Sequence, residues 1–422
     1  MATDKKTRMS IIPTTHPPSG KPTRSMRFLL AMARSLQAGK LTVILPCGAE
    51  HRFAGAKPGP DARLIVHDQA IARRLLTGGT LGFCEGYLDG QWSSPDIEAL
   101  FVLALVNEQV IGDIHYGRPL IRAIAHAFHR LRPNSRRGSR RNISYHYDLG
   151  NRFYESWLDP SMTYSSALFS GSEAGDAAET CAQGDTLAEG QRRKYAEIAR
   201  RMGLQPEDHV LEIGCGWGGF AAFAAAEVGA RVTAITISRA QYEFASRRIQ
   251  DMGLNDRVAI ELRDYRDTVG QFDRVASIEM IEAVGEGYWP TYFETIRDRL
   301  RSGGRAALQV ITIDDRYYDS YRRSADYIQK YIFPGGMLPS MTALTQEVAR
   351  AGMRITDGFG FRQDYARTLR EWNHRFQAGW PELRAMGFDD RFKRMWEQYF
   401  AYCAAGFEVG CIDVKQIAIA RD

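Results

Sequence analysis

The stretch VLEIGCGWGGF, residues 210–220, limits what this chain can fold into more than any other part of the sequence. Its first four residues form a short, mostly apolar run that predicts a buried strand. Glycines follow at positions 214, 216, 218 and 219, and glycine lets a backbone bend sharply and approach a ligand closely. Their spacing differs from that of dinucleotide-binding folds, and an alanine-rich helix comes next. The stretch therefore predicts a strand, a tight ligand-binding turn and a helix.

Glu212, inside this predicted strand, narrows the choice of ligand. A carboxylate that points into the turn suits the positive amino group and the hydroxyls of S-adenosylmethionine (SAM). The alternative is a strand-to-helix turn that binds nothing. The segments downstream of the turn favour the SAM pocket.

Strand-like and helical segments alternate after the glycine turn. The predicted strands are residues 231–236, 258–262, 272–278 and 305–313, and the predicted helices between them are residues 238–251 and 289–300. This alternation is typical of a parallel sheet with helices on both faces, and such sheets bind ligands beyond the carboxyl ends of their strands. Because residues 214–219, 236–241, 264–265 and 278–282 all follow strand ends, we expect them to form one site.

The length of 422 residues allows two domains, and an apolar fraction of 44% allows a sizeable core. We predict a disordered tail over residues 1–25, because this segment is polar and rich in proline. A small domain is predicted over residues 26–129, a basic linker over residues 130–142, and the large domain over residues 143–422. The small domain shows no catalytic constellation.

Within the small domain, short apolar runs predict strands at residues 41–45 and 63–66. Asp68 is a suitable N-cap for a helix over residues 68–76, which Gly78-Gly79 is expected to end. A second apolar helix is predicted over residues 96–106.

The linker concentrates basic charge in a chain whose net charge is only +5. It contains Arg130, Arg132 and the four residues Arg136, Arg137, Arg140 and Arg141, which we call the connector arginines. One interpretation is a solvated hinge, and the other is attraction to anionic lipid head groups, where each basic residue contributes about 1 kcal/mol. Nucleic acid is disfavoured, because no nucleic-acid-binding module accompanies the arginines.

The six cysteines form no C-x-x-C pair, and no metal-ligand spacing is present. With no signal peptide visible, the sequence predicts a reducing cytoplasmic location. It contains no run of about 18 apolar residues, so any membrane contact is expected to be peripheral.

Aromatic residues are dense in two segments, residues 143–169 and residues 314–340. The second follows a predicted strand end directly, so it is interpreted either as core packing or as a lid over an apolar substrate. Residues 171–190 predict a loop, and residues 191–202 predict a helix. The C-terminal part predicts helices at residues 342–351 and 366–407 and a last strand at residues 413–420.

Six motifs together resemble the cyclopropane-fatty-acyl-phospholipid synthases, a family that includes the mycolic-acid cyclopropane synthases. In chain order they are HYDLGNRFYESWLDPSMTYSSALF, GCGWGG, IEMIEAVGEGYWPTYF, YIFPGGMLPS, DYARTLREW and GFEVGCIDV, and the resemblance covers roughly residues 143–420. The resemblance implies an α/β fold of the class I SAM-dependent methyltransferase type. That fold is Rossmann-like, with a seven-stranded sheet whose last strand is reversed, and here it would carry a smaller N-terminal domain and a helical lid insertion.

The resemblance implies transfer of a methyl group from SAM to a cis double bond of an acyl chain, followed by proton loss and ring closure. The N-terminal domain resembles that of the phospholipid-acting members, so membrane phospholipid is the expected substrate and a cytoplasmic, peripherally membrane-associated enzyme is expected. A homodimer is left open as a further partner.

Three other functions remain open. The same methyl transfer can end in a methyl- or methylene-branched chain, the protein can bind SAM and lipid without turnover, or it can methylate nitrogen or oxygen of a small molecule. Glu282 and Tyr365 match the family, which argues against a module without turnover. The aromatic segment over residues 314–340 argues against a small polar substrate.

The resemblance also implies which residues contact SAM. These are Tyr164, Ser165, Val210, Leu211, Glu212, Ile213, Gly214, Cys215, Gly216, Trp217, Gly218, Thr236, Ile237, Gln241, Asp264 and Tyr265. Asp264 would accept a hydrogen bond from the adenine amino group, although a residue of an ordinary turn after a strand is the alternative.

The family holds a bicarbonate ion that removes the proton, so bicarbonate is a candidate second ligand. By the resemblance its ligands are Ser166, Glu282, Gln309, the backbone of Ile311, and Tyr365. Ser166 replaces the family's usual cysteine and Gln309 its usual histidine, which keeps hydrogen-bonding capacity but loses two titratable groups.

Glu282 is therefore expected either to hold bicarbonate or to take the proton itself. The alternative for Glu282 is a carboxylate on a helix surface beside Glu279 and Glu286. Cys403 also matches the family, but this chemistry needs no thiol nucleophile, so a structural or secondary role at the site is expected.

Overall fold

The protein contains two separate β-sheets, seen in a computed structural model that describes residues 21–112, 135, 138–139, 149–171 and 185–421. Most of the predicted tail, the connector arginines and most of the predicted loop over residues 171–190 lie outside the described residues. The predicted boundaries of the linker lie there too, so the division into domains stays a prediction.

The first sheet belongs to the N-terminal part and has four strands in the order β2-β1-β3-β4. They are β1 (Ala38–Ile44), β2 (Glu50–Ala54), β3 (Lys57–Val66) and β4 (Trp92–Ser93). The helices of this part are α1 (Arg24–Ala33), α2 (Ala70–Leu88), α3 (Ile97–Val106) and α4 (Glu108–Ile111). Strands β1 and β3 are parallel, and the other neighbours are antiparallel.

Helix α2 differs from the prediction at both ends. It begins at Ala70, whose backbone N–H donates to the Asp68 carboxylate at 2.9 Å, and it continues beyond the glycine pair. Gly79 has φ +60°, a backbone conformation that glycine adopts without strain, and there the helix kinks instead of ending. The helix resumes because Cys84 and Leu88 on its second half are fully buried in the core.

The second sheet has seven strands in the order β10-β11-β9-β8-β5-β6-β7. They are β5 (His209–Ile213), β6 (Arg231–Thr236), β7 (Val258–Leu262), β8 (Phe272–Ile278), β9 (Leu300–Ile313), β10 (Met353–Gly360) and β11 (Ile412–Arg421). Strands β5 to β9 pair in parallel, whereas β11 runs antiparallel to both β9 and β10. This is the predicted methyltransferase sheet with its reversed last strand.

Helices cover both faces of this sheet. They are α5 (Asn151–Glu155), α6 (Leu187–Met202), α7 (Gly219–Phe223), α8 (Arg239–Asp251), α9 (Trp289–Arg299), α10 (Asp315–Arg322), α11 (Met341–Arg350), α12 (Arg362–Ala385) and α13 (Asp390–Val409). Two π-helical turns, Ala224–Val228 and Ile328–Ile332, and three 3₁₀ turns, Tyr265–Asp267, Ile281–Ala283 and Glu286–Tyr288, complete the set.

Three elements of the large domain were mispredicted for identifiable reasons. The helical stretch predicted over residues 366–407 is two helices, α12 and α13, because the chain turns between them at Gly387, which has φ +102°. Helix α6 begins at Leu187, earlier than predicted, because Thr186 and Glu189 form a reciprocal capping box at its start. Strand β10 was missed because it is an edge strand with mostly exposed side chains, so it shows no apolar run.

One aromatic core joins the two parts of the chain. Phe101 of α3 packs in the same buried cluster as Trp157, Trp372 of α12 and Trp396 of α13. The Tyr87 hydroxyl also donates to the Glu397 carboxylate at 3.0 Å. Helices α2 and α3 therefore pack against the C-terminal helices and lie beside the candidate site.

Among the helices of the described residues, none combines the length and the apolar character that crossing a bilayer requires.

Candidate active site

A cavity of about 150 Å³ lies at the carboxyl ends of β5, β6 and β8. The glycine turn forms its floor, and the chain bends there because Gly214 and Gly216 have φ +85° and +51°. A Cβ atom on Gly214 would approach Met280 Cγ to 2.7 Å, whereas one on Gly216 would have nothing within 4 Å. The turn thus leaves open space above Gly216 for a ligand.

Glu212 is a buried carboxyl in the wall of this cavity. Its side chain is only 3% exposed, and its Oε2 atom has no hydrogen-bond partner. Burial raises the pKa of Glu212 to about 8, and the charge of Lys194 opposes the shift only in part. An unsatisfied buried carboxyl is costly, so the site fits a ligand that brings a positive, hydrogen-bonding group such as the amino group of SAM.

Most of the residues predicted to contact SAM line this cavity. They are Tyr164, Ser165, Glu212, Ile213, Gly214, Cys215, Gly216, Trp217, Thr236, Ile237, Gln241, Asp264 and Tyr265. Val210 and Leu211 instead lie in the sheet core with no exposed surface, and Gly218 lies behind the turn, where its Cβ position faces Ala245.

Asp264 lies in the cavity wall, but its carboxylate already has a partner. Both of its oxygens accept from the Arg266 guanidinium, at 2.7 and 2.8 Å. Each carboxylate oxygen has more than one lone pair, so the predicted bond to an adenine amino group is still available.

A second, mostly apolar cavity of about 350 Å³ adjoins the first. Its wall combines the N-terminal helices, the segment over residues 314–340, and helices α12 and α13. Representative lining residues are Leu81, Phe101, Leu105, Tyr327, Phe333 and Phe407. Tyr327 is buried and also lines the cavity, so this aromatic segment serves both as core packing and as a cover.

The two cavities meet at a shared wall. Among the described residues, Ser139, Tyr164, Glu279 and Ala283 line both of them. Ser139 comes from the linker, so this part of the linker reaches the site rather than lying apart from it. A group bound over the glycine turn and an apolar chain in the larger cavity would therefore meet beside Glu279.

Glu279 is the centre of a hydrogen-bond network that the sequence analysis missed. Its carboxylate accepts from the Ser166 backbone N–H at 2.9 Å, the Gln309 amide at 2.7 Å and the Tyr365 hydroxyl at 2.6 Å. Ser166 and Gln309 have no exposed surface and line neither cavity, whereas Glu279 lies between them and the cavities. The sequence offered one signal, a carboxylate directly after the end of β8.

Glu282 lies on the turn after Glu279 and lines the larger cavity. Its Oε1 atom accepts from the Ile311 backbone N–H at 2.6 Å, and its Oε2 atom has no partner. Burial, and secondly the negative charge of Glu279, raise the pKa of Glu282 to about 8. It is not the helix-surface carboxylate of the alternative interpretation.

Lys194 of α6 is a second residue that the sequence analysis missed. It is fully buried, and its ammonium group donates to the Ser165 hydroxyl at 2.6 Å. Burial lowers the pKa of Lys194 to about 7, against the opposing charges of Glu279, Asp159 and Glu212. The signal was a lysine on the apolar face of a predicted helix.

Cys403 lines the larger cavity, as does Ile311. Burial raises the pKa of the Cys403 thiol, so it stays protonated near neutral pH. This agrees with the expectation that the thiol is not a nucleophile.

Comparison with known proteins decides the family. A family model described as mycolic acid cyclopropane synthetase matches residues 134–417, which is more than half of the chain. The chain belongs to the mycolic acid cyclopropane synthetase family. This member is a SAM-dependent methyltransferase, and SAM is its methyl donor. The predicted family, fold class, enzyme class and SAM cofactor are confirmed.

Two curated relatives of this cyclopropane synthetase family member cover most of its length. It is 42% identical over 371 residues to tuberculostearic acid methyltransferase UfaA1 of Mycobacterium tuberculosis, a match that covers 87% of this chain and 85% of that protein. It is 34% identical to the cyclopropane-fatty-acyl-phospholipid synthase of Escherichia coli, a match that covers 85% of this chain and 88% of that protein.

Solved structures of the family superpose on about two thirds of the chain. The cyclopropane synthase MmaA2 from Mycobacterium tuberculosis has a TM-score of 0.61 and 28% identity, with 67% of this chain and 98% of that chain covered. The mycolic acid cyclopropane synthase CmaA1, in complex with SAH and CTAB, has a TM-score of 0.60 and 26% identity over the same shares.

Proposed function

We propose that this enzyme methylates a cis double bond in the acyl chain of a membrane phospholipid and converts it into a methylene-branched chain that stays on the phospholipid. The observation that carries the proposal is the wall shared by the two cavities. An apolar chain held in the larger cavity would lie directly beside the cavity that fits SAM, with Tyr164, Glu279 and Ala283 at the junction.

The chemistry of the larger cavity suits an alkene. An alkene is a weak nucleophile, so its reaction with a methyl donor needs close positioning and the exclusion of water. SAM supplies the methyl group. Aromatic rings at the junction support a passing carbocation: Tyr164 stacks on Phe333 at 6.2 Å between ring centres, and its hydroxyl donates to that of Tyr399 at 2.8 Å.

The choice of a branched product over a ring rests on the relatives. The match at 42% identity is a methyltransferase named for tuberculostearic acid, and another relative, 34% identical, is a probable fatty acid methyltransferase of Pseudomonas putida. Ring formation, which the sequence analysis placed first, is the second candidate, favoured by the Escherichia coli relative and by the family model.

Phospholipid as substrate is supported by the part that the N-terminal helices play. Leu81 of α2 and Phe101 and Leu105 of α3 extend the apolar wall of the larger cavity. A long acyl chain then has a continuous apolar path from the junction towards the N-terminal part. We further propose that the enzyme reaches this chain by peripheral contact, with the connector arginines facing anionic head groups.

The test uses the purified full-length protein, SAM, and vesicles of dioleoyl phosphatidylglycerol. We expect formation of demethylated SAM together with acyl chains that gain about 14 mass units. Proton NMR of the released fatty acid esters separates vinylidene protons of a methylene branch from the upfield protons of a cyclopropane ring. Ring protons alone would replace the first candidate by the second, and no lipid product under any condition would refute the proposed function.

A pair of variants on α3 tests whether the larger cavity holds the acyl chain. Leu105→Trp puts a large side chain into the cavity, so we expect loss of turnover on oleoyl chains with unchanged binding of demethylated SAM. Val106→Trp is the matched control, because Val106 is 41% exposed and lies outside the cavity wall. Equal activity of the two variants would contradict the placement of the acyl chain.

A further inference from the structure

We propose that Glu279 is the general base of this reaction, built into the chain at the position where a separate bound anion would otherwise be needed. The inference rests on the proposed function, because it concerns the proton that the methylated acyl chain must lose. It differs from the expectation drawn from the sequence, which gave this role to Glu282 or to bicarbonate.

The first argument is the convergence of donors. The Ser166 N–H, the Gln309 amide and the Tyr365 hydroxyl all donate to the two oxygens of one carboxylate, between 2.6 and 2.9 Å. These are three of the five groups expected to hold a bicarbonate ion. Since Glu279 occupies them and the Ile311 N–H donates to Glu282, no free set of donors is left for an ion among the predicted ligands.

The second argument is position. Glu279 lines both cavities, whereas Ser166 and Gln309 lie behind it and Glu282 lines the larger cavity alone. A base must reach the methyl group at the point where methyl donor and acyl chain meet. Of the two carboxyls on this turn, only Glu279 is at that point.

The third argument is backbone strain. Glu279 has φ +48°, and Met162 is the only other non-glycine residue with positive φ in the described part of the chain. Glycine would adopt this conformation at lower cost, so the turn carries a side chain at a position where it is unfavourable. Strain of this kind concentrates at functional sites, which is consistent with a carboxylate held there for its chemistry.

The fourth argument is charge. Burial raises the pKa of both carboxyls, but the Tyr365, Gln309 and Ser166 hydrogen bonds and the charge of Lys194 oppose the shift at Glu279. Glu282 has a single backbone donor, and the neighbouring charge of Glu279 adds to the shift there. Three hydrogen-bond donors stabilise the ionised form of Glu279 and only one stabilises that of Glu282, so of the two carboxyls Glu279 is the better placed to act as the anion.

The step balances without any further reactant. The π electrons of the acyl double bond form the new bond to the methyl carbon, the carbon–sulfur bond breaks, and its electron pair stays on sulfur. A carbocation remains on the acyl chain. A 1,2-hydride shift moves the cation to the carbon that carries the new methyl group. Glu279 then removes a proton from that methyl group, and the freed electron pair forms the carbon–carbon double bond of the methylene branch. Without the hydride shift, the freed pair closes a cyclopropane ring. The proton then resides on Glu279 and passes to water when the products leave.

The test compares Glu279→Gln and Glu279→Gly with the wild type in the vesicle assay, with and without added bicarbonate or formate. We expect wild-type turnover to be independent of bicarbonate, and both variants to be slowed about 10²–10⁴-fold. In Glu279→Gly the three hydrogen-bond donors surround an empty space the size of a carboxylate, and glycine relieves the backbone strain at this position. Added bicarbonate or formate is therefore expected to bind there and to restore part of the activity. Glu279→Gln fills that space and is not expected to respond.

Two controls separate this inference from folding and from the proposed function. Calorimetry with demethylated SAM is expected to give wild-type affinity for both variants, which shows that the fold and the SAM pocket are intact. Glu286→Gln removes a nearby carboxylate that pairs with Arg322 at 2.6 Å, and it should retain the wild-type rate.

A wild-type enzyme that forms no lipid product refutes the proposed function itself. An active wild type that needs bicarbonate, or a Glu279→Gln variant at the wild-type rate, overturns Glu279 as the base alone.

Discussion

Replacing Glu282 by glutamine is expected to stabilise the folded protein, and to do so increasingly as the pH rises. The Glu282 carboxyl lies inside the molecule next to Glu279, with one backbone donor and one oxygen that has no partner. Glutamine has nearly the same shape, and its amide oxygen can still accept from the Ile311 N–H. The substitution therefore removes an ionisable group from an unfavourable place without creating a cavity.

The size of the effect follows from the pKa of Glu282, which is raised from 4.5 to about 8 in the folded protein. Below pH 4.5 the group is protonated in the folded and unfolded states, so it costs no stability. Between pH 4.5 and 8 the unfolded chain loses the proton while the folded one keeps it, and the wild type becomes less stable as the pH rises. At about 1.4 kcal/mol per pKa unit, the limit is about 5 kcal/mol. Because Glu282 faces a cavity that water can enter, we expect about 1–3 kcal/mol.

The measurement is the difference in melting temperature between Glu282→Gln and wild type at pH 5, 6, 7 and 8. The difference should be small at pH 5 and grow steadily to pH 8. Glu243→Gln is the control, because Glu243 is an exposed carboxylate on α8 whose side chain is 55% exposed. A Glu282→Gln variant that is less stable than wild type at pH 8, or whose advantage does not change with pH, would refute this account of the carboxyl pair.

Three further predictions concern other parts of the site. Gly216→Val should nearly abolish binding of demethylated SAM in calorimetry, because a side chain at φ +51° would be strained and would enter the cavity. Gly253→Val is the control for strain alone, because Gly253 has φ +67° and faces open space outside the cavity. Equal loss of binding in both variants would show that the glycine turn does not bind SAM. Neutralising the connector arginines should weaken binding to anionic vesicles most strongly at low salt, since ions screen exposed charges; unchanged binding at low salt would leave the linker as a hinge. Tyr365→Phe should slow turnover about tenfold. It should also move the acid limb of the pH–rate profile to higher pH, because it removes a hydrogen bond that lowers the pKa of Glu279. An acid limb at the wild-type pH would contradict the role of this hydrogen bond.

The large domain was predictable because its elements are locally encoded. Alternating apolar runs and helical segments gave the parallel strands β5 to β9, and the glycine turn gave the site at their carboxyl ends. The errors occurred where local sequence is weak evidence. A glycine pair kinks α2 instead of ending it, since buried residues beyond the kink hold the second half in the core, and the exposed edge strand β10 has no apolar pattern to detect.

The sequence by itself determined the parallel strands β5 to β9 and the glycine turn, because each depends on residues close together in the chain. Only the tertiary structure decided which carboxyl stands at the reacting centre. Glu279 meets Gln309, Tyr365 and Ser166 across separations of 30, 86 and 113 residues. In the sequence, Glu279 and Glu282 lie three positions apart after the same strand, and nothing local distinguishes them from the many other acidic residues. Gln309 of β9, Tyr365 of α12 and the Ser166 backbone give three donors to the first carboxyl. The second carboxyl receives one, from the Ile311 backbone, and this difference in hydrogen bonding separates their roles.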